Sequence, residues 1–258
     1  MADSATDRTA GACIRVATAG DVHCRPDRRD EAIDAFGRLC GAADLLLLAG
    51  DLTTHGEAEQ AQVVADACRG LDMPVLAVLG NHDHHANQPR ELAEALAGGG
   101  IRLLEREHAV LDVAGAEVGV VGVKGFVGGF PGSHLPDFGE PLLRRVYAET
   151  TADVEALDAG LKAIGHCALR IVLLHYAPTG DTLVGEPPGI WTMLGTDRLA
   201  APIREHEPDL VLHGHAHAGT FEGRIGGVPV YNVSVPVLGQ DFWVFELAGV
   251  ERAGAPLH

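Results

Sequence analysis

In the stretch MPVLAVLGNHD (73–83), an apolar run of strand length stops at Gly80-Asn81-His82-Asp83. A short Val/Leu-rich run bounded by turn residues reads as a buried strand. The same event occurs twice upstream. CIRVATAG (13–20) ends in Asp21-Val22-His23, and DLLLLAG (44–50) ends in Asp51. Helix-length amphipathic segments over roughly 28–41, 57–70 and 89–98 separate and follow these runs. Strand, helix, strand at this rhythm predicts right-handed crossovers and a largely parallel sheet.

Downstream, HAVLDVAGAEVGVVGV (108–123) predicts a hairpin turning at Ala114, Gly115 and Ala116. A Gly/Pro-rich loop over 124–141 precedes a helix over roughly 142–164 and the strand LRIVLL (169–174), which is followed by His175. A second long loop (177–195), a helix near 197–206 and the strand DLVLH (209–213) lead into Gly214-His215-Ala216-His217. VPVYNVSVPV and DFWVFEL read as strands. These are too many strands for one sheet, so the expected class is α/β with two stacked sheets and outer helices. Residues 1–12 read as a flexible tail and 13–258 as a single domain.

The chain has 258 residues with 36 Asp and Glu against 19 Lys and Arg, a balance of −17. Lys124 and Lys162 are its only lysines. Counterion release on duplex nucleic acid needs clustered cations, so no such partner is expected, and no polybasic membrane anchor is visible. No apolar run approaches the ~18 residues of a spanning helix. The five cysteines (13, 24, 40, 68 and 167) form no C-x-x-C pair, and MADSATDRTAGA has no apolar signal region. Free thiols without an export signal lead us to expect a cytoplasmic home. Oligomeric state is left open by the sequence.

The 14 histidines are concentrated where strands end. Ligand sites in α/β sheets form beyond the carboxyl ends of strands, so these clusters are expected to converge on one edge of the fold. Each signal alone has an ordinary reading as turn, helix start or end-of-strand histidine. Their joint occurrence, each behind a strand, favours a common site.

In their order, D-x-H, G-D, G-N-H-D, a lone His and G-H-x-H resemble the calcineurin-like metallophosphoesterases across roughly residues 14–217. The resemblance implies a four-layer α/β/β/α sandwich of two mixed sheets with outer helices, the metallo-dependent phosphatase fold. It also implies two divalent or trivalent transition-metal ions, Mn, Fe or Zn foremost. One would take Asp21, His23 and His217, the other Asn81, His175 and His215, with Asp51 bridging. Mixed oxygen and nitrogen donors suit such ions better than an all-oxygen Mg²⁺ or Ca²⁺ cage. Two divalent ions, two carboxylates and a bridging hydroxide would leave one positive charge to hold a phosphate ester. The hydroxide would attack phosphorus. His82 would stabilise the transition state or protonate the leaving oxygen, with Asp83 as the partner fixing its tautomer.

Other residues keep two readings. His84, Arg25 and Lys124 are candidate substrate contacts, against plain solvation. Cys24 and His213 read as packed groups rather than ligands. The 124–141 loop either caps the site or packs. Asp51-Leu52-Thr53-Thr54-His55-Gly56-Glu57 departs from the G-D-x-V-D-R-G of the Ser/Thr protein phosphatases and is similar to the class III cyclic-nucleotide phosphodiesterase-like branch. The expected activity is hydrolysis of a small phosphodiester or phosphomonoester. The alternatives are a non-catalytic metal-binding scaffold on the same fold, or a nuclease.

Overall fold

The computed structural model describes residues 13–248. Its first sheet is assembled from the N-terminal runs: β1 (Cys13–Ala19), β2 (Leu45–Ala49), β3 (Val75–Val78) and β4 (Ile101–Leu103) lie parallel in that order, and β11 (Trp243–Ala248) closes the other edge antiparallel to β1. Every residue of β2 is buried. Its LLLLA run therefore serves both faces, as expected of a central strand covered on both sides. Leu46 and Leu48 pack outward under α1 (Arg29–Gly37), α2 (Ala58–Cys68) and α3 (Pro89–Gly98), while Leu45 and Leu47 pack inward.

The second sheet runs β5 (Glu107–Val113), β6 (Ala116–Gly122), β7 (Leu169–Leu173), β8 (Leu210–His213), β10 (Val228–Asn232) and β9 (Glu222–Ile225). Its three central pairings are parallel and its two edge pairings antiparallel. Val118, Val120, Ile171, Leu173, Leu210 and Leu212 face the inward side chains of the first sheet. Val121, Val172 and Val211 instead meet Leu157 and Leu161 of α4 (Pro141–Ala163) and Ile203 of α6 (Ala200–His206). Helix, sheet, sheet, helix is thus the observed layering, with mixed sheets, as expected.

Several boundaries differ from expectation. β4 and β9 are three- and four-residue strands too short to carry a period. SVPV does not continue a strand: Val235–Leu238 forms the one-turn helix α7, with Pro236 in its first turn, where no N–H is needed, and the amides of Val237 and Leu238 bonded to the Ser234 carbonyl. The 177–195 loop contains 3₁₀ turns and the short helix α5 (Trp191–Leu194). The tail expected over 1–12 lies outside the described residues. Among the described residues no helix is long and apolar enough to cross a membrane, and all five cysteines are free.

Candidate metal centre

The loops following β1, β2, β3, β7 and β8 meet at one edge of the sandwich, and eight donor residues come together there. Three groups have ligand atoms within 4.8 Å of one another: Asp21, His23 and His217; His23, Asp51 and His82; Asp51, His175 and His215. Asn81 joins the last group, with its Oδ1 3.0 Å from His175 Nε2. Each residue of the expected ligand set is therefore at the site.

Backbone carbonyls fix how the imidazoles face. A ring nitrogen bonded to a carbonyl must be the one carrying hydrogen. Nδ1 of His175 lies 2.9 Å from the Ala49 carbonyl, Nδ1 of His23 3.3 Å from that of Thr53, and Nδ1 of His82 2.8 Å from that of Thr54. In all three rings the Nε2 lone pair is left for the centre. His215 is reversed, because its Nε2 donates to the Met193 carbonyl at 3.2 Å and leaves Nδ1. Such outer hydrogen bonds orient metal-ligating histidines generally.

Around His175, one ring nitrogen and two side-chain oxygens converge. Its Nε2 stands 3.0 Å from Asn81 Oδ1 and 3.4 Å from Asp51 Oδ1. Asp51 Oδ2 points to the other group, 4.0 Å from His23 Nε2. His217 Nε2 and Asp21 Oδ1, 2.9 Å apart, share a hydrogen that an ion between them would replace. Donors about 2.1 Å from a shared ion lie roughly 3–4 Å apart. These residues fit transition-metal ions in donor chemistry and in spacing.

The charges agree with this reading. Burial pushes the Asp51 carboxyl up to about 8, helped by the nearby negative charges of Asp21 and Asp83. Burial also acts to raise Asp21, but the hydrogen bond to His217, the fields of His175 and His217 and the amide of His215 hold it below its ordinary value. Burial pushes His175 down to about 3, so it stays a neutral nitrogen donor. A carboxyl kept protonated beside neutral imidazoles marks a site short of positive charge.

Backbone strain is concentrated here too. Asp21 (φ 59°), His23 (44°), Asp51 (49°) and His215 (70°) are four of the eight non-glycine residues with positive φ among the described residues. This conformation costs of order 1–3 kcal/mol each and persists where surrounding structure enforces it. Two glycines preceding donor residues are needed for close approach. A Cβ on Gly80 would stand 2.1 Å from Asp51 Oδ1, and one on Gly214 2.4 Å from Asp21 Oδ2.

Asp83 requires a correction. Its carboxylate accepts hydrogen bonds from the amides of Leu52, Thr53 and Gly80 and from the Thr53 hydroxyl. The partner of His82 is instead the Thr54 carbonyl. Asp83 is fully buried and ties the loop after β3 to the loop after β2. It therefore positions Asp51 rather than the His82 tautomer.

His213 has both ring nitrogens occupied, by the Gly214 carbonyl and the Thr182 hydroxyl at 2.8 Å each. Burial pushes the Cys24 thiol up to about 12, a packed neutral group. Lys124 is half-buried over the rings of Phe126 and Tyr176, 4.3 and 5.1 Å from their centroids. Its charge is felt at Asp51, His84 and His175. Arg25 pairs with Asp27 at 3.1 Å, both exposed. The 124–141 loop packs on the 177–195 loop through Gly128–Thr192 and Gly129–Gly195 backbone bonds and the Phe130–Trp191 contact. Sequence reasoning missed Met193 and Tyr176, which hold His215 through a carbonyl and a ring contact of 4.4 Å. Neither residue carries ligand chemistry that a motif could flag.

A family model for calcineurin-like phosphoesterases matches residues 14–219. Among solved structures, phosphopantetheinyl hydrolase from Mycobacterium tuberculosis is similar with a TM-score of 0.65 at 15% identity, covering 95% of this chain and 100% of that one. TT1561 of Thermus thermophilus is similar with a TM-score of 0.55 at 18% identity, covering 91% and 99%. At these identities the likeness is one of fold. No individual curated protein matches the chain.

Proposed function

The chain belongs to the calcineurin-like phosphoesterase family, and from that premise we propose that it hydrolyses a small phosphate ester, a diester in preference to a monoester, at a centre of two transition-metal ions. The observation that carries this reading is the Asp51 carboxylate, which directs Oδ1 toward His175 and Oδ2 toward His23. Asp21, His23 and His217 would hold one ion and Asn81, His175 and His215 the other, with Asp51 between them. When bound, such a pair supplies positive charge to the phosphoryl oxygens and makes water a competent nucleophile near neutral pH.

The remaining work falls to the chain's own groups. His82 keeps a hydrogen on Nδ1 against the Thr54 carbonyl, and its Nε2 lies 3.9 Å from Asp51 Oδ2. As imidazolium, it can hand the Nε2 proton to the leaving alcohol oxygen. Lys124, with its ammonium held back among the rings, supplies a nearby positive charge for the anionic ester, and His84 lies within its field. Preference for a diester rests on the G-D-L-x-x-x-G-E run at 50–57 and on the absence of the Arg that clamps phosphate in the protein phosphatases. A net charge of −17 weighs against a duplex substrate.

The test compares bis(p-nitrophenyl) phosphate with p-nitrophenyl phosphate on Mn²⁺-loaded protein. Turnover of the diester is expected. Turnover of the monoester alone would make the protein a phosphatase, and turnover of neither with metal bound would leave a metal-binding scaffold.

A further inference from the structure

His82-Asp83-His84 folds as a 3₁₀ turn, and His85 follows in helical conformation with its amide bonded to the His82 carbonyl at 3.1 Å. Side chains at i and i+3 eclipse in such a turn. Residues 82 and 85 therefore share a face, while Asp83 points into the protein as the clamp between two loops. The ring of His85 lies against that of His82, with centroids 4.4 Å apart and planes tilted by 41°. His85 is exposed and belongs to none of the three donor groups of the centre.

His82 has few other restraints. Its side chain is 34% exposed, so the core grips only part of it. The bond from Nδ1 to the Thr54 carbonyl at 2.8 Å holds one atom, about which the ring can still pivot. Two ring contacts limit that pivot: the edge of His23 at 4.7 Å and 71°, and the ring of His85. His23 belongs to the donor cluster; His85 stands outside it. A proton donor must keep its N–H aimed within hydrogen-bond reach of the leaving oxygen, and a small misplacement is expensive in rate.

We propose that His85 is a positioning residue for His82: its ring, used as a packing surface, keeps Nε2 of His82 aimed at the oxygen that leaves phosphorus. The inference rests on the phosphoesterase reading, with His82 as the proton donor. In the step it supports, the P–O bond to the alcohol breaks, its electron pair stays on oxygen, and the Nε2 proton of His82 moves there, leaving a neutral imidazole. The help is greatest where the departing oxygen is basic, because phenoxide needs the proton more than p-nitrophenoxide does. His85 acts through shape, so another planar ring should serve in its place.

The experiment compares wild type, His85→Ala and His85→Phe as Mn²⁺-loaded full chains acting on diphenyl phosphate and on bis(p-nitrophenyl) phosphate. The ring ¹⁵N shifts of His82 are read in the metal-free proteins. His85→Ala is expected to lower kcat on diphenyl phosphate roughly three- to tenfold, the order that one ring–ring contact is worth. KM and metal content should stay unchanged, and the loss on the p-nitrophenyl ester should be smaller. The His82 shifts should move from those of a single tautomer with hydrogen on Nδ1 toward those of a mixture. His85→Phe should restore both readouts. Equal losses on the two esters, a loss that phenylalanine does not repair, or His82 shifts indifferent to His85→Ala would overturn the proposal. Altered His82 shifts in a protein that turns over neither ester sink the catalytic reading alone. Turnover by the wild type, with His85→Ala indistinguishable from it, sinks this positioning role alone.

Discussion

His82 faces the donor cluster through Nε2 but has a different task from its neighbours. Removing it should leave the seven proposed ligands in place. His82→Ala is expected to retain metal and to lower turnover by about 10²–10⁴, the usual range for a lost acid–base group. Loss of metal together with activity, read by elemental analysis, would make His82 a ligand. Asp51 has a different signature. Its carboxyl titrates near 8 before any cation arrives, while ligation requires the carboxylate. Below pH 8 a bound cation must therefore displace this proton, and at lower pH the one that His217 holds against Asp21 as well, so apparent metal affinity should fall at least about tenfold per pH unit and level off above 8. His175, depressed to about 3, adds no dependence in that range. Titration of metal into the protein in buffers of different ionisation enthalpy checks this; an affinity flat between pH 6 and 8 would contradict it.

Strand ends are where ligand identity becomes ligand position. At the close of β3, Gly80 lets the backbone pass against Asp51, and Asp83 clamps the two loops through four hydrogen bonds. Gly80→Ala would drive a methyl into Asp51 Oδ1. We expect metal affinity to drop at least tenfold while circular dichroism keeps its folded signature; unchanged metal content would contradict the close approach. The clustered donor residues were legible in the sequence because their chemistry is carried by residue type and their location by the apolar run before each one. Their strained φ values, the reversed ring of His215 and the true partner of Asp83 were not, since these depend on carbonyls and amides contributed by distant loops. β4 and the SVPV turn escaped for a related reason. Three residues cannot display a period, and the V-P-V of 235–237, a helical turn, has the same residues as the V-P-V of 228–230, a strand.

At the scale of the molecule, two sheets share one apolar interior and carry helices on both outer faces. That layering brings loops from both sheets to the same edge, so residues as far apart as Asp21 and His217 touch at 2.9 Å. On the function proposed above, this edge holds a pair of cations with Asp51 between them. Anomalous diffraction from a crystal grown with Mn²⁺ reads this directly. Two peaks are expected, one among Asp21, His23 and His217 and the other among Asn81, His175 and His215, on opposite sides of the Asp51 carboxylate. A single peak, or peaks away from Asp51, would contradict the account.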